Sequence, residues 1–70
     1  MSIYQTVQAI WPYISPLTQQ VLDEWLSSPF TFAQVMMRYG GIERSQVARE
    51  LEACRVLRWV NGMPEFVPFL

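Results

Sequence analysis

The stretch VLRWVNGMPEFV, residues 56–67, contains the dipeptide Asn61-Gly62 between two apolar runs. Asn-Gly in this setting is a strong signal for a β-hairpin, because a type I′ turn needs a positive φ at both of its central residues. Counting outward from the turn gives cross-strand pairs in which apolar residues meet and opposite charges meet: Val60 with Met63, Trp59 with Pro64, Arg58 with Glu65, Leu57 with Phe66 and Val56 with Val67. The sequence therefore predicts a hairpin over residues 56–68.

Residues 45–55, directly before this hairpin, have the spacing of an amphipathic helix that Ser45 caps. Apolar residues share one face of the predicted helix: Val47, Leu51 and Cys54. Polar or small residues share another face: Gln46, Arg49 and Ala53. Because side chains three and four positions apart lie on the same side of a helix, the second face is open to a binding partner.

Two further helices are predicted near the start of the chain. Residues 3–11, placed at 100° per residue, gather their apolar side chains within about 120° of arc: Ile3, Tyr4, Val7, Ile10 and Trp11. Gln5, Thr6 and Gln8 lie outside this arc. Pro12 ends this helix, because the residue before a proline avoids the α-helical region. Ser15-Pro16 then forms the N-cap and first residue of a second helix, which Ser27-Ser28-Pro29 ends. The inward side of the second helix is broad: Leu17, Val21, Leu22, Trp25 and Leu26.

A short third helix is predicted from a capping box. Thr31 and Gln34 have the required spacing, so that each side chain can bond the backbone N–H of the other residue. The inward residues of this helix are Phe32, Val35, Met36 and Tyr39. Gly40-Gly41 ends it and forms a turn before the fourth helix.

This order of elements resembles a winged helix-turn-helix. The stretches FTFAQV, residues 30–35, and GGIERSQVARELEACRVLRW, residues 40–59, carry the resemblance. They are similar to small bacterial and phage winged-helix regulators, in which a capped short helix precedes a recognition helix of the pattern S-x-V-x-x-x-L-x-x-L and then the first wing strand. The resemblance implies a mainly α-helical fold with a C-terminal β-hairpin (α+β), a winged helix-turn-helix with an extra N-terminal helix. Residues 1–70 would form a single domain with an N-terminal helix (1–13), a three-helix core (15–55) and a wing hairpin (56–68).

Composition limits the functions open to these 70 residues, of which 51% are hydrophobic and 16% charged. The chain has no His and a single Cys, Cys54, which excludes a disulfide framework, a His/Cys metal site and a His-based catalytic triad within one chain. We therefore expect neither an enzyme nor a metal or other cofactor. Polar residues interrupt the uncharged segment 1–22, and the first cationic side chain is Arg38, so we expect no membrane span and no secretory signal. The predicted location is the cytoplasm.

The winged-helix resemblance implies that the fourth helix enters the major groove of DNA. Residues near its start are then in position to contact bases: Arg44, Ser45, Gln46 and Arg49. Arg58 on the wing is in position to contact a phosphate. Both assignments have an alternative. Arg49 can pair with Glu50 or Glu52 on a solvated helix face. Arg58 can pair with Glu65 across the hairpin.

The charge distribution gives mixed indications about DNA. All five cationic residues lie within residues 38–58, but the chain has no Lys and its pI is near 5.1. A protein that depends on nucleic-acid affinity normally carries a strong basic patch, because each neutralised phosphate releases counterions. A homodimer would compensate for weak charge by presenting two recognition helices to one duplex.

Both ends of the chain carry more aromatic and apolar residues than a small winged helix needs for its core: Tyr4, Trp11, Tyr13, Phe66, Phe69 and Leu70. Either the first helix packs on the C-terminal tail, or these residues form an exposed patch that binds a second copy or a host protein. Two functions therefore stay open. One is a phage- or plasmid-type transcriptional regulator that binds double-stranded DNA as a homodimer. The other is a protein-interaction module, such as a phage-type inhibitor or adaptor of a host protein, that does not bind DNA.

Overall fold

A computed structural model describes residues 1–69 of the chain as helices followed by an antiparallel hairpin. The elements, in chain order, are α1 (Ile3–Ile10), a 3-10 turn (Trp11–Tyr13), α2 (Pro16–Leu26), α3 (Phe32–Met36), α4 (Gly41–Ala53), β1 (Leu57–Val60) and β2 (Met63–Phe66). The predicted α+β class, mainly helical with a C-terminal hairpin, is confirmed.

The hairpin has the register that its sequence predicts. β1 and β2 pair antiparallel, with these partners: Leu57 with Phe66, Arg58 with Glu65, Trp59 with Pro64 and Val60 with Met63. Asn61 and Gly62 have φ angles of 51° and 77°, the positive values that a type I′ turn requires. The predicted fifth pair lies just outside the strands, where the Val67 N–H donates to the Val56 carbonyl at 2.7 Å.

Side-chain caps fix the starts of the first three helices. Ser15 is the N-cap of α2 and Pro16 its first residue, as predicted. Thr31 and Gln34 form the predicted capping box of α3, with hydrogen bonds of 2.9 and 3.2 Å. A second capping box, between Ser2 and Gln5, starts α1 and was not predicted.

The fourth helix begins at Gly41, four residues before Ser45, where the predicted helix of residues 45–55 starts. Gly40 is its N-cap, and the Gly40 N–H donates to the Glu43 carboxylate at 3.2 Å. A carboxylate at this place bonds an otherwise unpaired donor in the first turn and suits the positive end of the helix dipole. The prediction that Gly40-Gly41 forms a turn was therefore wrong. The turn lies at residues 37–39, between α3 and α4.

The end of α4 is a Schellman motif that leads directly into β1. The Val56 N–H donates to the Leu51 carbonyl at 3.0 Å, and the Arg55 N–H donates to the Glu52 carbonyl at 2.9 Å. Arg55 is left-handed, with a φ of 61°, at a place where glycine is usual. These bonds fix the hairpin relative to α4.

The core joins all the helices to the hairpin through buried apolar side chains: Val7, Ile10, Ile14, Val21, Leu22, Phe32, Val35, Met36, Val47, Leu51, Val56 and Phe66. An aromatic cluster packs the hairpin onto α2 and α3. The ring centroid of Trp25 lies 5.4 Å from that of Phe32 and 5.2 Å from that of Phe66. This packing holds the hairpin against α2 and α3.

The first helix packs on the C-terminal tail, one of the two arrangements expected for the chain ends. Thr6, predicted outside the apolar face of α1, is fully buried and its hydroxyl accepts a hydrogen bond from the Phe69 N–H at 2.9 Å. The Met1 ammonium donates to the Phe69 carbonyl, also at 2.9 Å. Burial of Thr6 is possible because the tail supplies a hydrogen-bond partner for its hydroxyl.

Candidate nucleic-acid interface

One side of α4 faces the hairpin across a groove of ≈ 640 Å³, which we call the α4–hairpin groove. Helix α4 contributes side chains three and four positions apart: Arg44, Ser45, Ala48, Arg49 and Glu52. The hairpin contributes Trp59, Met63 and Pro64 to the opposite wall. Three of the five predicted DNA contacts, Arg44, Ser45 and Arg49, therefore lie together in one groove.

Two of the five arginines form ion pairs elsewhere on the surface. Arg38 pairs with Glu24 at 3.1 Å, and its guanidinium lies over the Phe30 ring at 4.7 Å from the centroid. Hydrogen bonds from the Tyr39 hydroxyl and then from Arg38 hold the pKa of the Glu24 carboxyl below its usual value. Arg38 is thus held at the junction of α2 and the α3–α4 turn.

Arg58 pairs with Glu65 at 2.8 Å across the hairpin. This is the alternative that the sequence left open for Arg58, and it is confirmed. Arg58 does not line the α4–hairpin groove. Its pair is exposed to solvent, with side chains 62% and 48% accessible, so water screens the interaction.

Arg44 and Arg49 form no ion pair with any carboxylate of residues 1–69. Arg44 makes one contact of note, with Nη1 3.6 Å from Sδ of Met37. Arg49 is exposed. The expected alternative, a pair between Arg49 and Glu50 or Glu52, does not form among the described residues.

The glutamates of α4 form no ion pair with these arginines, and each accepts a hydrogen bond elsewhere. Glu43 accepts the Gly40 N–H at 3.2 Å. Glu50 accepts the Ser15 N–H at 2.6 Å. Glu52 accepts the Trp59 indole N–H at 3.2 Å. Three acidic side chains next to the arginines in sequence are therefore used to cap helices and to hold the hairpin.

Gln46 does not lie in the groove, which corrects its predicted role. Its side-chain amide donates to the Ser15 hydroxyl and to the Glu50 carboxylate, both at 3.1 Å. Burial alone would raise the pKa of the Glu50 carboxyl, but hydrogen bonds from Ser15 and Gln46 lower it below its usual value. Gln46 and Glu50 are four residues apart and form one stripe of α4, which packs on the start of α2.

Exposed apolar side chains line the groove beside Arg44 and Arg49. Trp59 is 54% exposed and Met63 44% exposed on the hairpin, and Met37 is 58% exposed beside the start of α4. None of these three residues was among the predicted DNA contacts. The sequence did contain a signal for Trp59. Side chains alternate along a strand, so Trp59 lies on the same face of β1 as the inward-facing Leu57.

The aromatic residues near the chain ends are not one continuous surface. Tyr4 and Tyr13 are 64% and 79% exposed, whereas Trp11 and Phe69 are half-buried. Phe66 is buried in the core, only 6% exposed, and is not available to a partner. Its predicted interface role was wrong because β2 packs on α3, which turns Phe66 inward. The prediction for Leu70 lies outside the described residues.

No protein-family model, curated protein or solved structure matches the chain. Residues 1–69 contain no group of three His, Cys, Asp or Glu side chains placed to hold a metal ion. In the same part of the chain, no helix combines the length and apolar character needed to cross a membrane. What the groove can bind therefore follows from its own chemistry.

The groove combines donors for an anion with apolar contact area. Its lining charges, Arg44, Arg49 and Glu52, sum to 2 − 1 = +1. The two arginines are five positions apart on the helix, which is about 7.5 Å along the axis. Each guanidinium can donate two parallel hydrogen bonds to a phosphate, a carboxylate or the O6/N7 edge of guanine. The groove is thus suited to a ligand that is anionic and partly apolar.

Proposed function

We propose that this chain is a small winged helix-turn-helix regulator of transcription, of the phage or plasmid type, with α4 as its recognition helix and the β1–β2 hairpin as its wing. The order α2, α3, α4, β1, β2 supports this assignment. The observation that carries it is a pair of arginines on α4, the half-buried Arg44 and the exposed Arg49, which flank Ser45 and are left without a carboxylate partner among residues 1–69.

In the proposed complex, the groove-facing side of α4 enters the major groove, which is about 12 Å wide. Arg44 and Arg49 contact guanine edges or phosphates, and the Ser45 hydroxyl contacts a base or a phosphate. Gln46 takes no part, since its amide bonds Ser15 and Glu50. Arg58 takes no part while it pairs with Glu65.

A homodimer gives this weakly charged surface a larger footprint on DNA. For two phosphate-neutralising arginines, the affinity should fall about twelvefold between about 50 and 200 mM salt, and for four it should fall about 150-fold. The face open to a second copy is the exposed side of α1, where Tyr4 and Trp11 line a groove of ≈ 490 Å³. Of the described residues near the C-terminus that were predicted to take part, Phe66 is buried and Phe69 is half-buried.

The test compares two double variants that carry the same net charge. Wild type, Arg44→Gln/Arg49→Gln and Arg38→Gln/Arg58→Gln are titrated with a pool of random duplex DNA at about 50 and about 200 mM salt. We expect the wild type and the Arg38/Arg58 variant to bind with steep salt dependence, and the Arg44/Arg49 variant to lose binding. Equal loss in both variants would mean that net charge, and not the α4 face, governs binding.

A second candidate function is a protein-interaction module that does not bind DNA, such as an inhibitor or adaptor of a host protein. The exposed Trp59, Met63 and Met37 favour it. Trp, Met and Arg are the residue types enriched at protein interfaces, and Lys, which is depleted there, is absent from this chain. Failure of the wild type to bind duplex DNA at about 50 mM salt would select this function.

A further inference from the structure

The apolar wall of the α4–hairpin groove is more than a DNA-binding helix requires. Trp59 and Met63 line one side, Met37 lines the other, and all three are between 44% and 58% exposed. The volume of ≈ 640 Å³ is within the range of about 300–1,000 Å³ in which protein sites enclose apolar ligands. Nucleic-acid backbones offer little apolar surface to such a wall, whereas an amphipathic helix does.

The charges of the groove favour a partner helix that carries acidic side chains. Arg44 and Arg49 are about 7.5 Å apart along α4, and acidic side chains one turn apart on a partner helix are separated by about 6 Å. The two spacings match closely enough for two guanidinium–carboxylate contacts. Glu52, the one acid in the lining, is 3.2 Å from the Trp59 indole N–H and accepts its hydrogen bond.

We propose that the α4–hairpin groove receives an acidic amphipathic helix of a partner protein, which buries apolar side chains against Trp59 and Met63 and pairs its carboxylates with Arg44 and Arg49. Because the same arginines are the proposed DNA contacts, the bound helix excludes DNA from α4. The exclusion rests on the proposed DNA-binding function, whereas binding of the helix does not. The partner thus inhibits DNA binding by occupying the groove-facing side of α4.

The test uses three synthetic helical peptides with the same leucine face and with Glu, Gln or Lys residues one turn apart beside that face. Their affinities for the whole chain are measured by fluorescence anisotropy of a label on the peptide. We expect the Glu peptide to bind about tenfold more tightly than the Gln peptide, and the Lys peptide to bind most weakly. Equal affinity of the Glu and Gln peptides would overturn the proposal.

Two groove variants, Trp59→Ala and Met37→Ser, test the apolar wall, and Tyr4→Ala is the matched control because Tyr4 is 64% exposed on α1, outside the groove. Circular dichroism confirms that each variant is folded. We expect either groove variant to weaken the Glu peptide by about tenfold and the control to leave it unchanged. Unchanged binding in both folded groove variants would overturn the proposal.

Duplex DNA, measured on the same samples, separates this inference from the proposed function. If the wild type binds DNA, the Glu peptide should displace it, and Trp59→Ala should keep DNA binding while its affinity for the peptide falls about tenfold. If the wild type binds the Glu peptide but no DNA, the inference stands and the proposed function fails. If the wild type binds DNA but not the Glu peptide, the inference fails and the proposed function stands. Self-association that Trp59→Ala abolishes would assign the groove to a second copy and overturn the inference.

Discussion

Replacing Glu50 with Gln should destabilise the fold at neutral pH and have a smaller effect in acid. The Glu50 carboxylate joins α4 to the start of α2, where it accepts the Ser15 N–H at 2.6 Å and the Gln46 amide at 3.1 Å. The substitution keeps the size of the side chain and one acceptor oxygen but removes the negative charge. The variant therefore isolates what the charge contributes to holding α4 in place.

The expected size of the effect follows from the hydrogen bonds. Hydrogen bonds to charged groups contribute about 1.5–3 kcal/mol each, and the half-buried position of Glu50 places its loss at the lower end, at about 1.5 kcal/mol. For a domain of this size, that lowers Tm by about 6–12 °C.

The pH dependence follows from the lowered pKa of Glu50 in the folded state. Its anion stabilises the fold above the unfolded carboxyl pKa of about 4.3, and this stabilisation is lost as the pH falls through the lower folded pKa. The difference between wild type and Glu50→Gln should therefore be largest at about pH 7 and shrink below about pH 4.

Urea unfolding, followed by circular dichroism at several pH values, measures this difference. The control is Glu43→Gln on the same helix, where Gln can still accept the Gly40 N–H, and its stability should stay within about 0.5 kcal/mol of wild type. Wild-type stability of Glu50→Gln at about pH 7, or a deficit that is the same at about pH 3, would refute the assigned role of the carboxylate.

Three other changes have defined outcomes. Arg55→Gly should raise the free energy of unfolding by about 1 kcal/mol in urea titrations, because glycine adopts the φ of 61° without steric cost. An unchanged or lower stability would contradict the Schellman assignment. Glu52→Gln should tighten binding of duplex DNA about two- to fivefold at about 50 mM salt, because it removes a negative charge from the groove and keeps an acceptor for the Trp59 indole. Weaker DNA binding by a folded variant would contradict this expectation. The Cys54 thiol should react slowly with iodoacetamide until the chain unfolds, because burial and, to a smaller extent, the Glu50 carboxylate raise its pKa. Equal reaction rates for the folded and the unfolded chain would contradict its half-buried position.

Features set by neighbouring residues were predictable from the sequence. The Asn61-Gly62 turn fixes the register of the hairpin, and the caps at Ser15 and Thr31 fix two helix starts. In each case the responsible side chain lies within a few residues of the backbone that it constrains. The start of α4 was missed because its cap is the Glu43 carboxylate acting on a glycine N–H, and the prediction had taken Ser45 as the cap.

Features set by distant residues were not predictable from periodicity. Gln46 was assigned to the binding face, but Ser15, thirty-one positions away in sequence, holds its amide. Thr6 was assigned to the outside of α1, but Phe69, sixty-three positions away, bonds its hydroxyl. Periodicity gives the direction of a side chain on its own helix and not the identity of the neighbour on that side.

The candidate site was therefore predicted in part. Arg44, Ser45 and Arg49 were named from the sequence and lie in one groove, whereas the apolar wall opposite them was not foreseen. That wall is formed when the hairpin folds back beside α4. The contact joins two elements, and the local sequence pattern of either element does not predict it. The sequence likewise did not indicate that the glutamates of α4 bond Gly40, Ser15 and Trp59 and leave Arg44 and Arg49 without an ion pair among residues 1–69.

The central claim, that the groove-facing side of α4 holds DNA, is tested most directly by mapping the contact residue by residue. Backbone amide resonances of the ¹⁵N-labelled chain are followed by NMR as random duplex DNA is added at about 50 mM salt. We expect the largest shifts at Arg44, Ser45 and Arg49 and at the hairpin residue Trp59, with α1 unaffected. Shifts confined to α1 around Tyr4, or no shifts while the chain stays folded, would contradict the claim.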